Sequence, residues 1–339
     1  MDSPTRVLDL TRGGADDAPI AEATRVLLAG GLVAFATETV YGLGADATNV
    51  DALARIFAAK GRPSVNPLIL HASDLAMAKS CVSEWSELAD ELAQSFWPGP
   101  LTLVLPRSPI VPDLVTAGRD TVGVRIPALR STRALIAGVG RPLAAPSANL
   151  SNQLSPTTAA HVLRDLGGRI DLILDSGPTS VGLESTVLDL TGEVPRILRP
   201  GPISRRELMR ALGGMHVGES TSAITPSTSA TSPGQFPVHY APRTKTIRVD
   251  PERLADYEPA GPWALLTFAK YQPPGSPRPA RAASFRTPEE AAEGLYRLLH
   301  DWDQQGFSHI VVVLPPDHPE WRAVRDRLIR ATASRTSSP

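Results

Sequence analysis

The chain has 339 residues, enough for two domains of about 100–200 residues each and too many for a single small module. Hydrophobic residues make up 42% and charged residues 20%, which excludes a disordered chain. Thirty-four Lys and Arg balance 35 Asp and Glu, and a net charge of -1 argues against a surface built throughout for nucleic acid or acidic lipid.

Cys81 is the only cysteine, so an intramolecular disulfide and a paired-cysteine zinc site are excluded and a reducing compartment is expected. The longest apolar run, Val26 to Ala36, falls short of the ~18 residues that would suggest a membrane span. The opening stretch MDSPTRVLDL has neither the basic nor the apolar region of a signal peptide, and a cytoplasmic protein with no membrane partner is the expectation.

In chain order, Pro19 to Ala29 predicts a helix stopped by Gly30-Gly31, and Leu32 to Phe35 a buried strand. Asp51 to Lys60 predicts a helix with Leu53, Ile56 and Phe57 on one face. Further strands are expected at Pro67–His71, Leu101–Leu105, Thr121–Ile126, Leu143–Ala145, Leu172–Leu174, Thr186–Leu190 and Arg196–Leu198. Further helices are expected at Ser83–Ser95, Thr132–Ala137, Thr157–Leu166 and Ser204–Leu212. This alternation predicts an α/β layer fold. Gly214 to Thr246 is rich in Ser, Thr, Pro and Gly and reads as a linker, ending in HYAP. From Ile247 the alternation resumes in a smaller α/β domain. It has strands at Trp263–Phe268 and Ile310–Leu314 and a helix opening at Thr287, with Ala291, Leu295, Leu298, Leu299 and Trp302 on one face.

Several strand ends carry groups suited to ligand binding. Thr37 to Gly44 is expected as a loop after a buried strand, where hydroxyls and glycine amides could hold a carboxylate or phosphate. A turn that merely needs glycines and hydroxyl caps is the alternative, and a dinucleotide fingerprint fits poorly. Lys60 and Arg62 sit at a helix end, where cations also serve simply as dipole complements. Arg125 and Arg199 lie in or at the end of apolar strands, and a buried guanidinium calls for an anion that its fork can grip. His71 is either a ligand or a hydrogen-bonded core histidine. Ala145 to Ser151 joins a strand to a helix opened by Ser155 to Thr158; there a ligand could approach the backbone, or Ser155 or Thr157 could act as a cap. No GxxxxGK[ST] loop and no Ser-His-Asp pattern is present, so covalent catalysis is not indicated. The residues alone point to an enzyme that binds a small anionic or nucleotide ligand.

Taken in order, TETVYGLG, KGRP with NPLILH, WPGPLTLVL, TVGVRIP, APSANLS with SPTTAAHV, GLESTVLDL and ILRPG resemble the YrdC-domain family. The resemblance is to the longer members, the threonylcarbamoyladenylate synthases with an extra C-terminal domain. It covers Val26 to Ile203 densely, then SPG and HYAP. It implies a twisted mixed sheet with helices over residues 1–213, a linker and active-site lid over 214–246, and a Rossmann-like domain over 247–335. The implied reaction condenses L-threonine, bicarbonate or CO2, and ATP, with Mg2+ accompanying the ATP, to give threonylcarbamoyl-AMP and pyrophosphate. A downstream tRNA threonylcarbamoyl-transferase complex would use the product, and contact with tRNA is possible. Alignment of reactants and neutralisation of phosphate charge would suffice for such chemistry.

Carried over by motif, Thr39, His71, Arg125, Ala145 and Ser185 are expected around threonine. Lys60, Arg62, Asn66, Thr121, Ser147, Asn149, Ser155 and Arg199 are expected around ATP, with Tyr240 closing over it and Lys60 and Arg62 positioning the reactants. The chain departs from the family pattern at Ala36, at Asn152-Gln153 and in SPGQFPVHYAP, which lacks the basic residues expected between SPG and HYAP. Two other functions compete: a carbamoyl-transfer maturation factor, disfavoured by the single cysteine, and a YrdC-type RNA-binding module, disfavoured by the net charge.

Overall fold

The computed structural model describes residues 4–11, 18–219, 239–254, 257, 260–268 and 279–333. The first unit is built from β1 (Arg6–Asp9), α1 (Ala18–Leu28), β2 (Val33–Phe35), β3 (Gly42–Asp46), α2 (Val50–Lys60), β4 (Ile69–His71), α3 (Leu75–Ser80), α4 (Glu87–Phe96), β5 (Leu101–Pro106), α5 (Asp113–Thr116), β6 (Thr121–Arg125), α6 (Arg130–Val139), β7 (Leu143–Ala144), α7 (Ala159–Leu166), β8 (Leu172–Asp175), β9 (Thr186–Asp189), β10 (Arg196–Arg199), α8 (Arg205–Ala211) and β11 (Gly218–Glu219). Its strands form one mixed sheet in the order β1-β8-β2-β3-β7-β4-β6-β5-β9-β10-β11.

Alternation along the strands splits the apolar residues between the two faces. Leu32, Ala34 and Ala36 join the main core, while Val33 and Phe35 join a second cluster with Ala23 and Leu27 of α1. A third, small cluster of Ile69, Val104 and Val187 lies on the strands around β5. Local signals set the helix ends: Asn49 caps α2 by accepting from the Ala52 amide, Gly61 closes it in the left-handed conformation, and Ser204 with Glu207 forms a capping box on α8.

Three expectations are corrected. TETVYGLG is not wholly a loop, because Gly42 begins β3, which runs antiparallel to β2. Glycine persists in this strand because a Cβ on Gly44 would meet the Phe35 ring at 2.5 Å. The helix expected from Ser83 starts at Glu87, since Ser86 is the residue that caps it by accepting from the Ala89 amide. The cap of α7 is Thr158 and not Ser155 or Thr157.

The second unit is a parallel four-stranded sheet, β12 (Thr246–Arg248), β13 (Trp263–Phe268), β14 (Arg281–Phe285) and β15 (His309–Val312), in the order β12-β15-β13-β14. Helices α9 (Pro288–Trp302) and α10 (Arg322–Ala331) cover one face. The covering core also takes in Val40, Leu154, Leu183 and Tyr240, so the two units share a hydrophobic cluster. Ser232-Pro233-Gly234 and Gln235 to Val238 of the expected lid, together with residues 269–278 and 334–339, lie outside the described residues.

Gly182 fixes how closely the units approach. It has φ +80, and a Cβ there would lie 2.3 Å from the Ala292 carbonyl oxygen of α9. Both the left-handed backbone and the rigid neighbour oppose a side chain. Gly182→Ala is therefore expected to cost about 2 kcal/mol or more of stability by denaturant unfolding; an unchanged midpoint would show that the interface gives way freely.

Candidate active site

Strand ends of the large sheet converge on a cavity lined by polar and charged side chains as well as apolar ones. Its walls come from segments tied together by backbone hydrogen bonds. The amides of Leu43 and Ala148 bond to the carbonyls of Pro146 and Tyr41, joining the start of β3 to the loop after β7. The amides of Val181 and Gly182 bond to the carbonyls of Glu38 and Thr39, bringing the segment before β9 alongside. Thr37 locks the turn after β2, its hydroxyl accepting from the Val40 amide at 3.2 Å and donating to the Val40 carbonyl at 2.7 Å.

Of the residues expected around threonine, all five line this cavity: Thr39, His71, Arg125, Ala145 and Ser185. Arg125 is held at three points. Its Nε donates to the Gly99 carbonyl at 3.1 Å, one terminal nitrogen to Thr39 Oγ at 2.9 Å, and the other to Glu38 Oε1 at 2.6 Å. Glu38 is itself fixed by the Ala128 amide at 2.9 Å. The guanidinium thus enters the cavity in one orientation, with N–H groups to spare for a carboxylate. His71 stands edge-on to Phe35, with Nδ1 3.3 Å from the Ile69 carbonyl. Burial, reinforced by the Arg125 charge, pulls its pKa down to about 3, so the ring is neutral at pH 7.

Of the residues expected around ATP, Arg62, Ser147, Arg199 and Tyr240 line the same cavity. Arg199 donates from Nε to the Ser185 carbonyl at 3.1 Å and from a terminal nitrogen to Ser185 Oγ at 3.0 Å, while Thr102 bonds the same hydroxyl at 2.8 Å. Arg62 donates to the Pro67 carbonyl at 2.9 Å, and burial lowers its pKa to about 10, which leaves it charged. The other five stand apart from the cavity lining. Lys60 is buried and spends its ammonium on the carbonyls of Ser147 and Asn149, both at 2.5 Å. Burial and the neighbouring Arg62 charge hold its pKa well below the lysine range. It therefore fixes the loop that presents Ser147. Asn66 and Asn149 are buried, and each keeps a carbonyl oxygen without a partner among the described residues. Thr121 lines a smaller neighbouring cavity with Ile69, Val104 and Val187. Ser155 faces Glu184, to which it donates at 2.5 Å.

Sequence reasoning did not assign a role to Glu184 or His239, which also line the cavity, or to Glu38, which stands behind it and holds Arg125. A signal existed for the two glutamates, since a carboxylate inside an apolar strand-end motif needs a partner. Glu184 is buried, and while burial pushes its carboxyl up, the Arg327 and Arg199 charges and the Ser155 bond pull it down further, to below the usual range. Among the described residues no group of three or more His, Cys, Asp or Glu side chains could hold a metal ion. Glu38 and Glu184 are each committed to an arginine, so among the described residues these carboxylates do not build a protein-held cation site. No described helix is long and apolar enough to cross a membrane.

This hydroxyl-lined cavity, with Arg62, Arg125 and Arg199 buried in its walls, is suited to small anionic ligands on a YrdC-like sheet. The family model for Sua5, YciO and YrdC proteins, described as telomere recombination, matches residues 25–201, and the model for the C-terminal domain of threonylcarbamoyl-AMP synthase matches residues 203–333. A threonylcarbamoyl-AMP synthase of Bacillus subtilis is 40% identical over 329 residues, 94% of either chain. The solved structure of Pyrococcus abyssi Sua5 complexed with L-threonine superposes with a TM-score of 0.87 at 37% identity, covering 97% of this chain and 98% of that one. A variant of the same protein, in which an adjacent His and Tyr are replaced by Ala, superposes equally well. The chain belongs to the Sua5/YrdC family, in the long form that carries the C-terminal domain.

Four histidines give the fold a pH signature. Burial lowers the pKa of His71 to about 3, of His161 to about 4 and of His300 to about 2, and lowers that of His239 as well. Unfolded histidine takes up its proton below about 6.5, so the histidine contribution to stability should be constant above that pH and be lost progressively as the pH falls below it. The loss should reach up to about 1.4 kcal/mol per pH unit for each histidine, opposed in part by Asp165, whose carboxyl burial pushes up. Denaturant unfolding at pH 7 and pH 5 checks this, and His71→Asn should reduce the loss by that one histidine's share; a flat parent profile would contradict the buried neutral rings.

Proposed function

We infer that this chain condenses L-threonine, bicarbonate and ATP to threonylcarbamoyl-AMP and pyrophosphate, supplying the threonylcarbamoyl group for modification of tRNA. The observation that carries this reading is the cavity whose lining brings together Arg125, Thr39, Arg62, Arg199 and Tyr240. It is supported by family membership along the whole chain and by the threonine complex of the Pyrococcus relative.

Arg125, oriented by Glu38 and Gly99, takes the threonine carboxylate, and Thr39 and neutral His71 complete that side. The threonine nitrogen joins bicarbonate with loss of water. An oxygen of the resulting carbamate then attacks the α-phosphorus, and pyrophosphate leaves. Arg62 and Arg199 face the phosphates, and the Ser147 loop, pinned by Lys60, lies against them. These cations are already desolvated and fixed, so they offset charge on the phosphates without reorganising. Mg2+ enters this reading as the ion that ATP carries on its phosphates, and it supplies further charge neutralisation there. Transfer to tRNA falls to a separate threonylcarbamoyl-transferase complex, in the cytoplasm.

The test is pyrophosphate release from ATP, measured with and without L-threonine in bicarbonate buffer. Release that depends on threonine is expected, and its absence would remove the assignment. Within an active enzyme, Arg125→Ala should weaken threonine binding about a hundredfold, in line with losing a charge-assisted fork, while ATP binding changes little. Equal losses for both substrates would show that the two sides of the cavity are assigned wrongly.

A further inference from the structure

Arg327 of α10 lies outside the cavity yet touches two of its walls. The guanidinium is buried, its side chain 1% exposed. Its Nε donates to Glu184 Oε2 at 2.7 Å, one terminal nitrogen donates to Asp326 at 2.7 Å, and its central carbon lies 5.0 Å over the Tyr240 ring. Tyr296 of α9 supports both contacts, its hydroxyl 3.2 Å from each Glu184 oxygen and its ring 6.0 Å from that of Tyr240. On the far side, Glu184 accepts from Ser155 and is followed by Ser185, which holds Arg199.

A second observation concerns the backbone of Tyr240. It sits at φ +60, a conformation that bulky side chains rarely adopt and that persists only where the surroundings fix it. Those surroundings are Arg327, Tyr296 and His239, whose ring centroid is 4.0 Å away. The Tyr240 hydroxyl has no partner among the described residues, which leaves it available to a ligand.

We propose that Arg327 is the positioning residue through which the C-terminal domain sets the nucleotide side of the cavity, gripping Glu184 by its ion pair and Tyr240 by its flat face. This rests on the reading of the cavity as a nucleotide site. The guanidinium does two jobs at once because it is planar: its edge donates to the carboxylate while its face lies on the ring. Lysine, a compact point charge, can neutralise Glu184 but cannot hold both groups in one geometry. Among the described residues Arg125 and Glu38, which orient the threonine side, make no hydrogen bond to Arg327, and Ser185 is linked to it only through the neighbouring Glu184, so threonine should respond less than the nucleotide.

The experiment measures affinity for α,β-methylene-ATP and for L-threonine by calorimetry on the full chain, its Arg327→Lys variant and its Arg327→Met,Glu184→Gln double variant. The double variant removes both buried charges together and guards against misfolding from an unpaired Glu184. Both variants should bind the analogue on the order of tenfold or more weakly while threonine affinity stays within about twofold. Folded variants that bind the analogue as the parent does would overturn the proposal, as would an equal loss for threonine. A parent that binds no analogue would instead remove the nucleotide reading itself, and the proposal with it.

Discussion

The constraint on which this structure depends is the burial of several cations around one cavity. Lys60, Arg62, Arg125 and Arg199 are all buried, and charges so placed are costly unless hydrogen-bonded or paired. The fold meets that cost mainly with its own backbone. Carbonyls of Ser147, Asn149, Pro67, Gly99 and Ser185 accept from these four side chains. Such carbonyls are free to turn inward only at strand ends and in the loops after them, which is why the site lies where the strands of the large sheet stop. Glu38 and Glu184 offset part of this charge, and an anionic substrate is suited to offset the remainder.

The second unit is part of this arrangement. Its helices share a core with Val40, Leu154 and Leu183, and Gly182 lets α9 approach within van der Waals distance of the backbone that leads to Ser185. Arg327 closes the same junction from α10. His161 of α7 stacks on His300 of α9 with centroids 3.8 Å apart, a further point at which the units meet through neutral, desolvated groups. The two sheets thus behave as one scaffold for the cavity, with Tyr240 held between them.

Much of the local structure was legible in the sequence. Helix ends marked by Asn49, Gly61 and Ser204 fall where capping chemistry puts them, and the apolar strand cores follow from simple runs such as Leu101 to Leu105. The start of β3 was not legible, because the glycines that suggest a turn are there to make room for the Phe35 ring, a neighbour supplied by a different strand. Ser83 and Ser86 are both cap-forming residues, but the Ser83 amide bonds to the Pro106 carbonyl and it is Ser86 that caps the helix. At the site, the buried arginines announced themselves by their apolar surroundings, but their partners did not. Glu38 lies 87 residues from Arg125, and Glu184 lies 143 from Arg327, distances across which spacing carries no information. The motif resemblance brought the cavity residues together; it was silent on what the C-terminal domain adds.

The central claim, that buried cations leave the cavity short of negative charge until substrates enter, is tested most directly by thermal unfolding as a function of ATP concentration, with and without L-threonine. The account predicts that the melting temperature rises steadily with ATP, by the equivalent of about 2.7 kcal/mol at a hundred times the dissociation constant, and rises further when threonine is added. Raising the salt concentration alone should give no comparable gain, since the cations of the cavity wall are buried and poorly screened. A melting temperature indifferent to ATP and threonine, or raised as much by salt, would contradict it.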